Sequence, residues 1–329
     1  MLKIDNLKIG YTTAHGKTTA VLENLCLSAK RGELIALIGE NGAGKSSLLR
    51  TIVKLQKPLS GKISLDDKNI NTYLSSRFAR RVAFVSTEPV QASYLKVFDL
   101  ICLGRFPHTN WFGHLDQEDY LKINEAIELM GMQKFVDKNL NQLSDGERQR
   151  AMIARTLAQD TDLIVLDEPT AFLDLPNKYE IVHALGNLCR KKNKTILFST
   201  HDLNIALRQA DKIWMLAGKQ IFEGAPEDLV LNNMFDRLFD QSSLHFDSKL
   251  GDFMLPSCTG IPVSLNGAGL PALWTQKALE RLNYKVVSKD SYFSVTIAQN
   301  EGKPQWILKK NDAINYADSI YSLSLLLKK

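Results

Sequence analysis

Short apolar runs rich in β-branched residues open the chain, at Lys3 to Tyr11, Val21 to Ala29 and Glu33 to Ile38. The first two alternate apolar with polar positions and predict half-buried strands; Leu34 to Ile38 is apolar throughout and predicts a buried strand. From Phe98 to Asp160 the period changes. Tyr120, Leu121, Ile123, Ile127, Leu129 and Met130 fit one face of a helix over Asp119 to Met130, so an inserted helical subdomain is expected over about residues 95–160. After it comes a strand–helix–strand pattern: a buried strand at Leu163 to Leu166, a helix from about Asn177 to Lys191, and a strand at Thr195 to Ser199. Beyond residue 250, Gly251, Pro256, Gly260, Pro262, Gly267, Gly269 and Pro271 crowd together and predict a linker with tight turns before a tail domain over 251–329. In that tail, Pro271 to Leu282 reads as a helix with Leu273, Trp274, Ala278 and Leu282 on one side. Tyr284 to Ser288, Ser291 to Ala298 and Gln305 to Leu308 read as strands and Asp312 to Leu327 as a closing helix, making a small α+β module.

Composition narrows the class. With 329 residues, 44% hydrophobic and 23% charged, the chain is an ordinary globular protein long enough for two domains. A net charge of +5, from 41 Lys and Arg against 36 Asp and Glu, excludes a strongly basic nucleic-acid binder, and no nucleic acid is expected as a partner. The longest apolar stretches, Leu34 to Ile38 and Ile213 to Ala217, are five residues long, against the roughly 18 that a membrane-spanning helix needs. Met1 to Tyr11 has no long apolar core with a cleavage site, so a cytoplasmic location is the expectation. Cys26, Cys102, Cys189 and Cys258 lie far apart, which predicts reduced, mostly packed thiols rather than a zinc site or a disulfide frame.

The strongest chemical signal is Gly39-Glu40-Asn41-Gly42-Ala43-Gly44-Lys45-Ser46, between the buried strand and the helical run Ser47 to Val53. A strand, glycine loop and helix in that order form a phosphate-binding loop: Gly39, Asn41, Gly42 and Gly44 let backbone N–H groups close around a phosphate, and the helix offers its positive end. Lys45 reaches the β- and γ-phosphates in such a loop, Ser46 ligates Mg²⁺, and Ser47 completes the nucleotide-binding set. A glycine turn without ligand explains neither Lys45 nor Ser46. The strand Leu163 to Leu166 ends in Asp167 and Glu168, where α/β sheets place ligands. Asp167 is expected to hold Mg²⁺, and Glu168 to deprotonate a water for attack on the γ-phosphate.

Between these elements lies Leu143-Ser144-Asp145-Gly146-Glu147-Arg148-Gln149-Arg150, and with it the sequence over about residues 1–245 resembles the ATP-binding subunits of ABC transporters. The resemblance implies a phosphate-loop NTPase fold, an α/β RecA-like core with an antiparallel β subdomain and an inserted helical subdomain. It also implies ATP and Mg²⁺ as cofactors and a head-to-tail dimer in which Ser144 and Gly146 of one copy close over the nucleotide of a second copy. Pro169-Thr170-Ala171-Phe172-Leu173-Asp174 looks like the family's D-loop, so Asp174 would cross the interface; His201 would bond the γ-phosphate and Glu168, and Tyr11 would be the platform for adenine. Two departures stand out. The family's Gln after the strand Val82 to Ser86 is Thr87 here, so that metal-side role falls to Thr87, Glu88 or Gln91. Asp145 and Glu147 replace the usual Gly and Gln, adding negative charge that Arg148 and Arg150 would have to offset.

Leu103-Gly104-Arg105-Phe106-Pro107-His108 resembles a stretch in importers of iron-siderophores, haem and cobalamin, where it faces the membrane subunit. The implied partners are membrane permease subunits, with a substrate-binding protein acting indirectly, and the implied place is peripheral, at the cytoplasmic side of the inner membrane. A zinc or manganese importer ATPase and a soluble ABC ATPase are the neighbouring alternatives, while a GTPase would need Asn-Lys-x-Asp, for which the chain has Asn177-Lys178-Tyr179-Glu180. The motifs assign no role to the tail, for which an inert structural cap is the leading reading and a regulatory or dimer-stabilising domain or a cargo sensor are the alternatives; Asn266 to Gly269 before its first helix is a weak anion candidate without an adjoining Lys or Arg.

Overall fold

The computed structural model describes residues 1–329 apart from 13–17, 87–93, 111–112, 172, 241, 256–259, 289–290, 292, 301, 311–312 and 329. In chain order the first part comprises strands β1 (Leu2–Thr12), β2 (Thr18–Ala29) and β3 (Leu34–Gly39), helix α1 (Lys45–Ile52), strands β4 (Ser60–Leu65) and β5 (Lys68–Asn69), helix α2 (Ser75–Ala79) and strand β6 (Val82–Val85). Helices α3 (Val97–Cys102), α4 (Gln117–Leu129) and α5 (Asp145–Ala158) follow, then β7 (Leu163–Leu166), α6 (Leu175–Lys192), β8 (Thr195–Ser199), α7 (Leu203–Gln209), β9 (Lys212–Ala217), β10 (Gln220–Gly224), α8 (Pro226–Leu231), and a hairpin of β11 (His245–Asp247) and β12 (Asp252–Met254). The tail holds β13 (Ile261–Asn266), α9 (Gly269–Arg281), β14 (Tyr284–Val287), β15 (Phe293–Asn300), β16 (Lys303–Lys310), β17 (Ala313–Ala317) and α10 (Ile320–Leu327). The chain divides into two compact units, Met1–Met254 and Leu255–Lys329.

The first unit is built on a six-stranded sheet of order β10-β9-β3-β8-β7-β6, parallel except for β10. The parallel strands have apolar centres because both faces of the sheet are covered there, whereas the edge strand β10 carries exposed Gln220 and Glu223. Leu34, Ala36 and Ile38 of β3, Ile164 and Leu166 of β7, and Ile196 and Phe198 of β8 point into a core shared with α3 to α6. Ile35, Leu37, Leu163, Val165 and Leu197 point the other way, into a second core closed by α1 and by a four-stranded antiparallel sheet of order β2-β1-β4-β5. The unit runs on to Met254 because Phe246 of the terminal hairpin stacks on Phe235 at a centroid distance of 4.7 Å and Phe253 meets Phe239 edge-on at 4.8 Å. Burial pushes the Cys102 thiol up to about 11 and that of Cys189 up to about 12, which keeps both protonated.

The segment Leu103 to His108 turns out to be anchored inward. Arg105 is 4% exposed; its Nε donates to Asp119 Oδ1 at 2.7 Å and its Nη1 to the carbonyl of Ala158 at 2.9 Å. His108 Nε2 meets the Gln159 carbonyl at 2.9 Å, and a Cβ on Gly104 would lie 2.1 Å from the Arg155 carbonyl oxygen. The motif residues Gly104, Arg105 and His108 therefore tie the loop to α4 and α5, and Leu103 and Phe106, both exposed, are what it presents outward. Burial by itself would raise the Asp119 carboxyl, but the Asp116 N–H and the Arg105 guanidinium outweigh it and hold Asp119 below the usual carboxylate range. Its contribution to stability is complete above the ordinary carboxylate pKa and is lost as pH falls through the lower folded value. Arg105→Ala should destabilise the first unit by about 3–5 kcal/mol in guanidinium denaturation, because it leaves Asp119 charged, buried and unpaired.

The tail unit is a mixed five-stranded sheet of order β14-β13-β15-β16-β17, parallel at β14/β13 and β13/β15 and antiparallel beyond. Its core gathers Val263, Leu279, Val295, Trp306, Leu308, Leu323 and Leu327. Three expectations change here. Ile261–Asn266, placed among turns by its Pro and Gly neighbours, is the interior strand β13; the expected closing helix begins only at Ile320, with Ala313–Ala317 forming β17; and α9 buries Thr275, Ala278 and Leu279, leaving Leu273 and Trp274 exposed. Thr275 faces inward because its Oγ1 accepts from Trp306 Nε1 at 2.6 Å and donates to the Pro271 carbonyl at 2.7 Å. Among the described residues no helix is long and apolar enough to cross a membrane.

Candidate functional site

The loop between β3 and α1 takes a shape that only glycine adopts easily. Gly42 and Gly44 have φ of 80° and 102°, and a Cβ on Gly44 would lie 2.8 Å from Val21 Cγ1. Lys45, the first residue of α1, is 6% exposed and donates from Nζ to the carbonyls of Gly39 (2.8 Å) and Glu40 (3.0 Å). Burial lowers its pKa, and the carboxylates of Glu168 and Asp167 oppose that shift. A cavity of about 280 Å³ opens over the loop, lined by Tyr11, Val21, Asn41, Gly42, Gly44, Lys45, Ser46, Ser47 and Glu168. Tyr11 hangs over it from the end of β1, held by a 2.6 Å hydrogen bond between its hydroxyl and Ser47 Oγ.

β7 delivers the two carboxylates to the same edge. Asp167 is 3% exposed and accepts from Ser199 Oγ at 2.7 Å. Glu168 has a left-handed backbone with φ of 48°, a conformation that costs a non-glycine residue about 1–3 kcal/mol and persists where surroundings enforce it. Its N–H donates to Ser199 Oγ at 2.8 Å, and its Oε1 bonds His201 Nε2. Glu168 and His201, 33 residues apart, thus meet as the family resemblance implies. Ser199 was not singled out by any motif; its only signal is a hydroxyl directly after the apolar run Ile196 to Phe198.

The remaining candidates lie elsewhere in the chain. Ser144 is exposed and is the N-cap of α5, in a capping box where its Oγ accepts from Glu147 N (3.3 Å) and Glu147 Oε2 accepts from Ser144 N (2.8 Å). The unusual acids of this segment are therefore largely spent locally: Glu147 closes the cap, and Asp145 pairs with Arg148 at 3.3 Å. Arg150 does not offset them, since it bonds Asn177 and pairs with Glu180 at 3.2 Å on α6. Gly146 lies against Leu173, and Asp174 caps α6 through Asn177 N at 3.3 Å. None of Ser144, Gly146 or Asp174 lines the cavity over the phosphate loop. Thr87, Glu88 and Gln91 lie outside the described residues.

This arrangement provides a lysine and backbone amides for a polyphosphate, paired oxygens for a hard cation and a carboxylate–imidazole pair for moving a proton from water. Comparison with known proteins agrees. Residues 22–171 match the ABC transporter family, and residues 260–328, to which the motifs assign nothing, match the iron ABC transporter C-terminal domain. The petrobactin import ATP-binding protein FpuD of Bacillus anthracis is 39% identical over 220 residues, covering 67% of this chain and 80% of its own. The ferric enterobactin transport ATP-binding protein FepC of Escherichia coli K12 is 36% identical over 239 residues, covering 72% and 86%. Among solved structures, the dimeric post-hydrolysis state of the ATP-binding cassette MJ0796 bound to ADP and Pi superposes with a TM-score of 0.61 at 27% identity, covering 69% of this chain and 99% of that one. On these grounds the chain belongs to the ATP-binding proteins of ABC transporters, and it is an ATPase carrying an iron ABC transporter C-terminal domain.

Proposed function

We propose that this protein energises an importer of an iron-siderophore or a similar chelate, working as a homodimer on membrane permease subunits at the cytoplasmic face, with a substrate-binding protein delivering the cargo. The observation that supports the dimer is the separation of the two half-sites. Lys45, Glu168 and His201 gather at the phosphate loop, while exposed Ser144 presents a helix N-terminus outside that cavity, where a second copy's triphosphate would complete its shell. Each pocket then takes Lys45, Ser46, Ser47 and the loop amides of Gly39, Asn41, Gly42 and Gly44 from one copy and Ser144 and Gly146 from the other. Tyr11 carries the adenine, and Asp174 sits at the junction.

Within the pocket Lys45 holds the β- and γ-phosphates, His201 orients the γ-phosphate, and Glu168 takes the proton of the attacking water. The buried Asp167 carboxylate and the Ser46 hydroxyl at the cavity wall form an all-oxygen set suited to Mg²⁺. Bound there, Mg²⁺ supplies charge neutralisation for the β- and γ-oxygens.

The siderophore cargo is supported by the petrobactin and enterobactin systems of the relatives and by the tail's family. A strain lacking the protein should lose accumulation of iron from ferric siderophore and regain it on re-expression. Unchanged ferric uptake would overturn this cargo, and a loss confined to zinc or manganese would place the chain with metal-ion importers.

A further inference from the structure

Ser199 closes β8, and the parallel pairing of Leu166 with Phe198 brings it beside Asp167 at the carboxyl ends of both strands. It is fully buried. A hydroxyl has one proton and two lone pairs, and here both kinds of group are used in the same place. The proton goes to Asp167 Oδ1 at 2.7 Å; a lone pair receives the N–H of Glu168 at 2.8 Å. One side chain from a neighbouring strand therefore joins the side chain of one carboxylate residue to the backbone of the next, at the point where the chain bends into the left-handed conformation of Glu168.

We propose that Ser199 is a positioning residue for ATP hydrolysis, holding the Asp167 carboxylate in its metal-side orientation and the Glu168 backbone in the turn that aims its carboxylate at the attacking water. The inference rests on the roles of Asp167 and Glu168 given above. Without the hydroxyl, Asp167 Oδ1 loses its donor and can rotate, and the Glu168 N–H loses the acceptor that fixes the turn. Removal of partners that orient ligand and catalytic groups from behind typically costs 10- to 100-fold in metal affinity or activity. Neither loss touches the loop amides or Lys45, so nucleotide affinity without metal should stand.

The test compares Ser199→Ala and Ser199→Thr with wild type. Ser199→Ala should lower kcat by about 10- to 100-fold while the Kd for ATP in EDTA stays within twofold. On a Glu168→Gln background, where hydrolysis cannot interfere, the tightening of ATP binding on adding Mg²⁺ should shrink in the alanine variant, and Ser199→Thr, which keeps the hydroxyl, should restore it. A Ser199→Ala protein with wild-type kcat and wild-type Mg²⁺ tightening would overturn the proposal. So would an equal loss of ATP affinity in EDTA, which marks a general packing defect, or a threonine variant that melts like wild type yet behaves like alanine. Should the threonine variant fail to fold, the EDTA comparison on alanine decides alone. Failure of the underlying roles is visible separately, as wild-type turnover in Glu168→Gln with Ser199 intact.

Discussion

Glu168→Gln should bind ATP as wild type does and lose about 10²- to 10⁴-fold in turnover, the usual range for a general base. Gln is the same size and still accepts from His201, so the geometry around Oε1 survives and only the capacity to take a proton goes. The backbone turn also survives, because it is held through the Glu168 N–H and Ser199 rather than through the side chain. With hydrolysis blocked, the ATP-loaded form should accumulate, and size-exclusion chromatography in MgATP should show a dimer that disappears without nucleotide. Turnover at the wild-type rate would remove Glu168 from its role. A variant that binds MgATP and stays monomeric would overturn the two-copy pocket.

Lys45→Ala should act one step earlier, on binding. The ammonium is buried beside the loop, which lowers its pKa, and the charges of Glu168 and Asp167 oppose that lowering. Removing it takes away a charge-assisted contact with the phosphates in a site shielded from water, a loss of about 2–5 kcal/mol, or roughly 30- to 4,000-fold in Kd. Equilibrium binding of a fluorescent ATP analogue reads this directly. It also separates the two variants, since Glu168→Gln lowers kcat with Kd intact and Lys45→Ala raises Kd. Wild-type affinity in the alanine variant would contradict the cradle.

The phosphate loop could be read from the chain because its chemistry is contiguous. Gly42, Gly44, Lys45 and Ser46 must follow one another, between a strand and a helix, for any of them to act. Asp167 and Glu168 were legible for the same reason, at the end of four apolar residues. The Glu168–His201 contact was foreseen from the family resemblance. Ser199 carries no local mark, since a serine at a strand end is unremarkable until the β7/β8 register sets it beside Asp167. Likewise Arg105 and His108 read as surface determinants of partner choice, and only packing shows that Asp119, Ala158 and Gln159 claim them.

The tail shows the limit from the other side. β13 holds Pro262 and follows a glycine, signals of a turn, yet it is the strand on which β14 and β15 both pair. Ala313–Ala317 has no strong alternation and becomes a strand because β16 offers it a free edge. For α9, periodicity put Leu273, Trp274, Ala278 and Leu282 on one side; Ala278 is buried and Leu282 packs on the core, but with Thr275 bonded inward to Trp306 both Leu273 and Trp274 lie outside.

What the sequence determined alone is therefore the class of chemistry and the order of its parts: a triphosphate cradle, two carboxylates at a strand end, a helical insertion between them and an ATPase core followed by a separate module. Those signals are local, because loop shape, capping and strand burial depend on residues within a few positions of one another. The tertiary structure decided which side chains support the reacting ones, which motif residues are consumed by packing, and where strands of the tail begin. Such questions turn on partners tens or more residues away, whose proximity follows from sheet register and helix rotation, and no short window of the chain contains that information.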